Sequence, residues 1–171
     1  MPAAGIGDGF PQVLAASQTG AGWALERIWH AYAGTVAGYL RLHGATSPDD
    51  LTSEVFLGAF RTIGKFRGDE AAFRSWLFTI AHRRLQDARR VSARRPAPKP
   101  IGAHEPAPAA SAEQEMLTRE ADARVRRLCD LVVPDQREVL LLRLIGGLTV
   151  EEVAATVGKS PGAVKGCSAE A

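Results

Sequence analysis

The chain has 171 residues, enough for one domain or two small ones, and a formal net charge of only +2. Its two cysteines, Cys129 and Cys167, stand alone and its four histidines share no ligand spacing, which argues against a zinc ribbon, a disulfide framework or any metal site. There is no apolar run of the roughly 18 residues that a membrane span needs, and no basic and hydrophobic leader at the start, so a reduced cytoplasmic protein without membrane insertion is expected.

Residues 1–20 read as an N-terminal tail. From about residue 21 to 43, Leu25, Ile28, Trp29, Tyr32, Val36, Tyr39 and Leu40 recur at steps of three and four, the period of an amphipathic helix. Ser47, Pro48, Asp49 and Asp50 form a helix start: a capping serine, proline at the first position and an acid at the third. The helix that follows, to about Lys65, carries Leu51, Val55, Phe56, Leu57, Phe60 and Ile63 over more than half its circumference, so most of it should be buried. A further helix spans about 71–91, with Phe73, Trp76, Leu77, Ile80 and Leu85 inward.

Charge is unevenly spread. Residues 61–99 hold eleven Lys or Arg against three acids, whereas residues 1–60 hold two Arg against five acids. A basic block inside a neutral or acidic chain is the electrostatic footprint of a polyanion partner. Residues 93–112 then contain five of the ten prolines and cannot sustain helix or sheet. They read as a semi-extended, flexible linker.

Beyond the linker, Leu117, Ala121, Val125, Leu128 and Val132 make one more helical stripe, and Pro134 opens another helix that ends at Gly146 and Gly147. Thr149 and Glu152 have the Thr-x-x-Glu spacing of a capping box, with Val150, Val153, Ala154 and Val157 on one face. Gly158 suits the left-handed residue that ends such a helix. Ser160 and Pro161 then suit the cap and first position of a second helix. That order is a helix-turn-helix, whose second helix enters a major groove. The fold class read from these elements is all-α: a helical domain over 21–92, the linker over 93–112 and a helix-turn-helix domain over 113–171.

The segments "DDLTSEVFLGAFRTIGKFRGDEAAFRSWLFTIAHRRLQDARR" and "VPDQREVLLLRLIGGLTVEEVAATVGKSPGAVK", in this order and on either side of a linker, resemble the group IV, or extracytoplasmic-function, sigma factors of bacterial RNA polymerase. The resemblance implies no cofactor and two macromolecular partners: core RNA polymerase, through its β′ clamp coiled coil and β flap, and promoter DNA. An anti-sigma factor is a further expected partner. Asp50, Leu51, Glu54, Val55 and Phe56 match the segment that docks on the β′ clamp. The acids would meet basic residues and any exposed apolar surface would supply burial. Leu51, Val55 and Phe56 also read as ordinary internal core.

Phe66, Arg67, Gly68 and Phe73 fall in the loop that in this family holds a base flipped from the minus-ten element, and Trp76 matches a tryptophan associated with strand separation. Extracting a base costs a few kcal/mol, which stacking and edge hydrogen bonds must offset. Both phenylalanines and the tryptophan read equally well as core. Arg83, Arg84 and Arg90 lie on the helix expected at the minus-ten element, where arginine suits guanine edges or phosphate. For the minus-thirty-five element the candidates are Ser160 and Lys165. The family's Gly-Thr-Val-Lys-Ser-Arg stands here as Gly162, Ala163, Val164, Lys165, Gly166 and Cys167, and the recognition helix reads as shortened.

No arrangement of nucleophile and base, phosphate loop or metal cluster points to catalysis, so no enzyme activity is expected. Two other readings stay open. One is a helix-turn-helix regulator acting on duplex DNA without polymerase docking, and the other is a sigma-like decoy that binds core polymerase.

Overall fold

The structure is a computed structural model that describes residues 5–94, 124–125, 127 and 131–169. Seven helices of eight residues or more lie among them: α1 (Phe10–Gln18), α2 (Gly22–Leu42), α3 (Pro48–Thr62), α4 (Glu70–Arg94), α5 (Pro134–Leu144), α6 (Val150–Val157) and α7 (Pro161–Ala169). Short 3-10 turns cover Gly7–Gly9 and Ile63–Lys65. Among the described residues there is no strand and no helix long and apolar enough to cross a membrane.

Helices α2, α3 and α4 follow the periodicity closely. α2 buries Ile28, Tyr32, Val36, Tyr39 and Leu40, α3 buries Leu51, Val55, Phe56 and Ala59, and α4 buries Phe73, Leu77, Phe78, Ala81 and Leu85. α2 packs on α3 and α3 on α4, so that these stripes meet in one core. Helix α4 runs through Arg94, two residues past the expected end of its domain. The expected stripe from Leu117 to Val132 and most of the linker lie outside the described residues.

Residues 1–20 are not simply a tail. Phe10–Gln18 is a helix that buries Phe10, Val13, Leu14 and Ser17 against α2 and the Ile63–Lys65 turn. The signal was present, since 10, 13, 14 and 17 have helical spacing. One nine-residue helix flanked by glycines is marginal alone and forms because that stripe finds a core to enter.

In the C-terminal part, local chemistry was decisive. The Thr149 side chain accepts from the Glu152 N–H while the Glu152 carboxylate accepts from the Thr149 N–H, a complete capping box on α6. Gly158 ends α6 at φ 70°. Ser160 Oγ accepts from the Ala163 N–H at 3.2 Å and so caps α7. Val164 of α7 is fully buried with Leu141, Leu142 and Val153.

The C-terminal helices do not stand apart from the N-terminal ones. α6 packs along α4, and a single hydrophobic cluster contains the buried residues of both parts. Phe78 of α4 lies against Gly146, where an added Cβ would also sit 2.6 Å from the Leu142 carbonyl oxygen and 2.8 Å from Leu148 Cδ1. That glycine permits the close approach of the turn after α5 to α4.

Candidate nucleic-acid interface

Helix α3 divides sharply. Leu51, Val55 and Phe56 are buried, with Phe56 packed edge-on against Trp29 at 4.8 Å. This corrects their assignment as polymerase contacts: a helical period places them on the core side, where no partner reaches. Asp50 and Glu54 are exposed. Leu57, three residues past Glu54 on the same side, is 56% exposed, a large apolar side chain left in solvent between charges. The face therefore offers two carboxylates and one exposed apolar side chain, which stands out only once its neighbours are known to point inward.

The loop between α3 and α4 is preshaped. Phe66 is half-buried, packed at 5.5 Å from Phe73 and 5.2 Å from Trp76. Phe73 is fully buried beneath them and also meets Phe10 and Tyr32. Phe73 is thus the floor of the aromatic step and not a wall open to a base. Phe66 and Trp76 are its accessible part.

Arg67 donates to the carbonyls of Gly64 and Phe66, curling back over the turn, and is exposed. Gly68 has φ 150°, and a Cβ there would lie 2.9 Å from Ala72 Cβ. Conformation and contact both require glycine at this position. Asp69 Oδ1 accepts from the Ala72 N–H at 2.8 Å and caps α4.

Arg83, Arg84 and Arg90 are all exposed along α4. Arg90 also makes a 3.3 Å surface contact with Asp87. Arg89 is different: it donates to the His43 carbonyl at 2.9 Å and ties α4 to the end of α2. Arg83 and Arg90, with His82, Gln86 and Asp87, line one wall of a cleft of about 470 Å³ whose other wall is Ala155–Gly158 at the end of α6. Two of the arginines expected at DNA thus face the C-terminal helices across a gap.

That gap is bridged by groups not singled out in the sequence. His82 Nδ1 and the Glu138 carboxylate are 2.9 Å apart, with only 10% and 15% of their side chains exposed. Gln86 Nε2 donates to the same carboxylate at 3.3 Å, and Tyr39 OH lies 3.4 Å from His82 Nδ1. The hydroxyls of Thr79 and Thr156 meet at 3.0 Å. Burial works against ionisation of Glu138, but the hydrogen bond and charge of His82, with His43 and Arg89 nearby, hold its carboxyl below the usual range. Burial and then the Arg89 guanidinium push the His43 imidazole down to about 4, so it stays neutral.

At the minus-thirty-five candidates, Lys165 is exposed on α7, whereas Ser160 spends its oxygen on the helix cap. Among the described residues no group of His, Cys, Asp and Glu could hold a metal ion.

The helix order and both segments agree with known families. Residues 28–95 match the model of Sigma-70 region 2, and residues 124–166 match that of Sigma-70 region 4. Over 167 residues the chain is 31% identical to the ECF RNA polymerase sigma factor SigD of Mycobacterium tuberculosis, covering 93% of this chain and 78% of that protein. The chain belongs to the extracytoplasmic-function sigma factors.

It is also 33% identical over 159 residues to the ECF sigma factor BldN of Streptomyces coelicolor, covering 90% of this chain but 60% of that relative. Among solved structures, CnrH in complex with the cytosolic domain of CnrY is similar with a TM-score of 0.68 and 25% identity, over 95% of this chain and 92% of that one. Within this sigma factor, α2–α4 fall in region 2 and α5–α7 in region 4. The segment 5–18 precedes the region 2 match altogether.

Proposed function

We propose that this sigma factor docks on core RNA polymerase through the α3 face of Asp50, Glu54 and Leu57 and directs it to promoters, reading the minus-ten element with the Phe66–Asp69 loop, Trp76 and the α4 arginines. The observation that carries the reading is the division of α3: two carboxylates and an exposed leucine on one side, a fully packed stripe on the other. An exposed leucine one turn beyond two carboxylates suits a partner that presents basic groups beside an apolar contact. The half-buried Phe66 and Trp76 offer π-faces to an unstacked base at the start of a helix whose exposed arginines suit phosphate or guanine. The exposed Lys165 midway along α7 adds a phosphate contact for upstream DNA. A protein partner that masks the α3 face or the α4–α6 cleft would act as an anti-sigma factor.

The test is co-elution of the chain with core polymerase at moderate salt. Asp50→Lys and Glu54→Lys are expected to weaken co-elution while leaving helix content unchanged, because both side chains are solvent-exposed. Normal docking by both variants would refute the assignment of this face. Bound holoenzyme that cannot transcribe from a matched promoter would favour the decoy reading.

A further inference from the structure

Residues 5–18 lie outside both family matches and play no part in the reading above. Yet they touch the α3–α4 loop at both of its ends. At the near end, Gln18 Nε2 donates to two backbone carbonyls, Ile63 at 3.2 Å and Phe66 at 2.9 Å. At the far end, the N–H groups of Ile6 and Gly7 both donate to the carboxylate of Glu70, the first residue of α4. Tyr32 OH donates to the same carboxylate from α2. Gly7 has φ 73°, and a Cβ on Gly5 would lie 2.8 Å from Glu70 Oε1. Gly5 and Gly7 let the backbone close around the acid. Between the two anchors, the Phe10 ring packs at a tilt against Phe73, 5.4 Å between ring centres.

These contacts converge on one object. The backbone of Phe66 is held by Gln18 through its carbonyl, and the ring of Phe66 is held by Phe73 and Trp76. Between Phe66 and Glu70, Arg67, Gly68 and Asp69 are exposed. A loop that must catch an unstacked base gains from being held in shape before the base arrives, since ordering it on binding would cost free energy at each immobilised residue.

We infer that Gln18 is a positioning residue for minus-ten recognition: its amide, with the Gly5–Gly9 clasp on Glu70, holds Phe66 and the loop in the geometry that receives the flipped base. This rests on the minus-ten reading given above. Gln18 touches no DNA itself and acts through the Ile63 and Phe66 carbonyls. The substitution that isolates the effect is Gln18→Met, of similar length and without the donor. Glu70→Gln, which weakens the second anchor through a different residue, is the companion variant.

The experiment measures open-complex formation by holoenzyme on a fork-junction DNA selected by the wild-type chain from a pool randomised in the minus-ten element. Each non-template position of that element is made abasic in turn. Wild type is expected to lose complex at the position whose base the loop holds. With an intact base, Gln18→Met should reduce complex formation roughly tenfold, as the loss of two neutral hydrogen bonds implies. On the abasic DNA the penalty should shrink to less than about twofold, because a pocket with no base to hold gains nothing from its shape. Co-elution with core polymerase should not change, and Glu70→Gln should follow the same pattern. An equal penalty on intact and abasic DNA would overturn the positioning role and leave Gln18 a general stabiliser. Full activity of folded Gln18→Met would overturn it as well. If wild type is indifferent to base removal at every position, it is the minus-ten reading of the loop that fails.

Discussion

The contact of His82 with Glu138 joins region 2 to region 4 and can be measured directly by a double-mutant cycle. His82→Ala and Glu138→Ala are made singly and together, and each variant is unfolded in urea under far-ultraviolet circular dichroism. The two groups are 2.9 Å apart and nearly buried, and Gln86 contributes a second hydrogen bond to the carboxylate. A hydrogen bond to a charged group contributes about 1.5–3 kcal/mol, and a loss of that order follows when one partner is removed and the other is left buried and unsatisfied. Each single change should therefore cost about 2 kcal/mol. The double change should cost little more than either alone, because the second removal deletes a group that has already lost its partner. The coupling energy expected is about 1.5 kcal/mol, equivalent to roughly tenfold in an equilibrium constant. The unfolding midpoint of all three variants should fall, and of the two single variants Glu138→Ala should be the lower because it also strands Gln86. A coupling below about 0.5 kcal/mol, within the additivity expected of independent sites, would refute the claim that these side chains hold α4 against α5.

Acid should loosen the same region before it unfolds the rest. His43 is held neutral with its pKa down at about 4 against an ordinary 6.5, so the native state resists its protonation and the unfolded state does not. Stability should decline as pH falls from about 6.5 toward 4, by about 3 kcal/mol in all. Glu138, with a lowered pKa, keeps its contribution until pH falls below the usual carboxylate range. A urea midpoint that does not move between pH 7 and 5 would contradict the buried neutral state of His43. Gly146→Ala should destabilise the chain by about 2 kcal/mol, the order of an overpacked core site, because the new methyl would meet a backbone oxygen at 2.6 Å. An unchanged midpoint in this variant would show that the turn after α5 can yield.

Most of the helices and their ends were legible in the sequence, because those depend on neighbours within four residues; Phe10–Gln18, read as tail, was not. The Thr149–Glu152 capping box, the left-handed Gly158 and the Ser160–Pro161 start are all local chemistry, and each is present as spelled. The same holds for most of the stripes of α2, α3 and α4, although Leu57, read within the apolar surface of α3, stands in solvent. The family was legible too, through motifs spread over both regions. What the sequence left open was which residues of a mixed helix meet a partner: Leu51, Val55 and Phe56 read as both contact and core, and only their packing against α2 and α4 decided for core.

Tertiary structure also decided that Phe73 is floor and that Arg89 is a strut. It decided as well that a segment read as tail clasps the loop through Gln18 and Glu70. Phe73 aside, which is placed by packing, the physical reason is common to these. A buried polar group gains from finding a partner, and that partner can be any residue the fold brings near. Nothing in the local pattern around Glu138 names His82, nor does anything around Gln18 name the carbonyl of Phe66; only the closing of the helices on one another brings these donors and acceptors together.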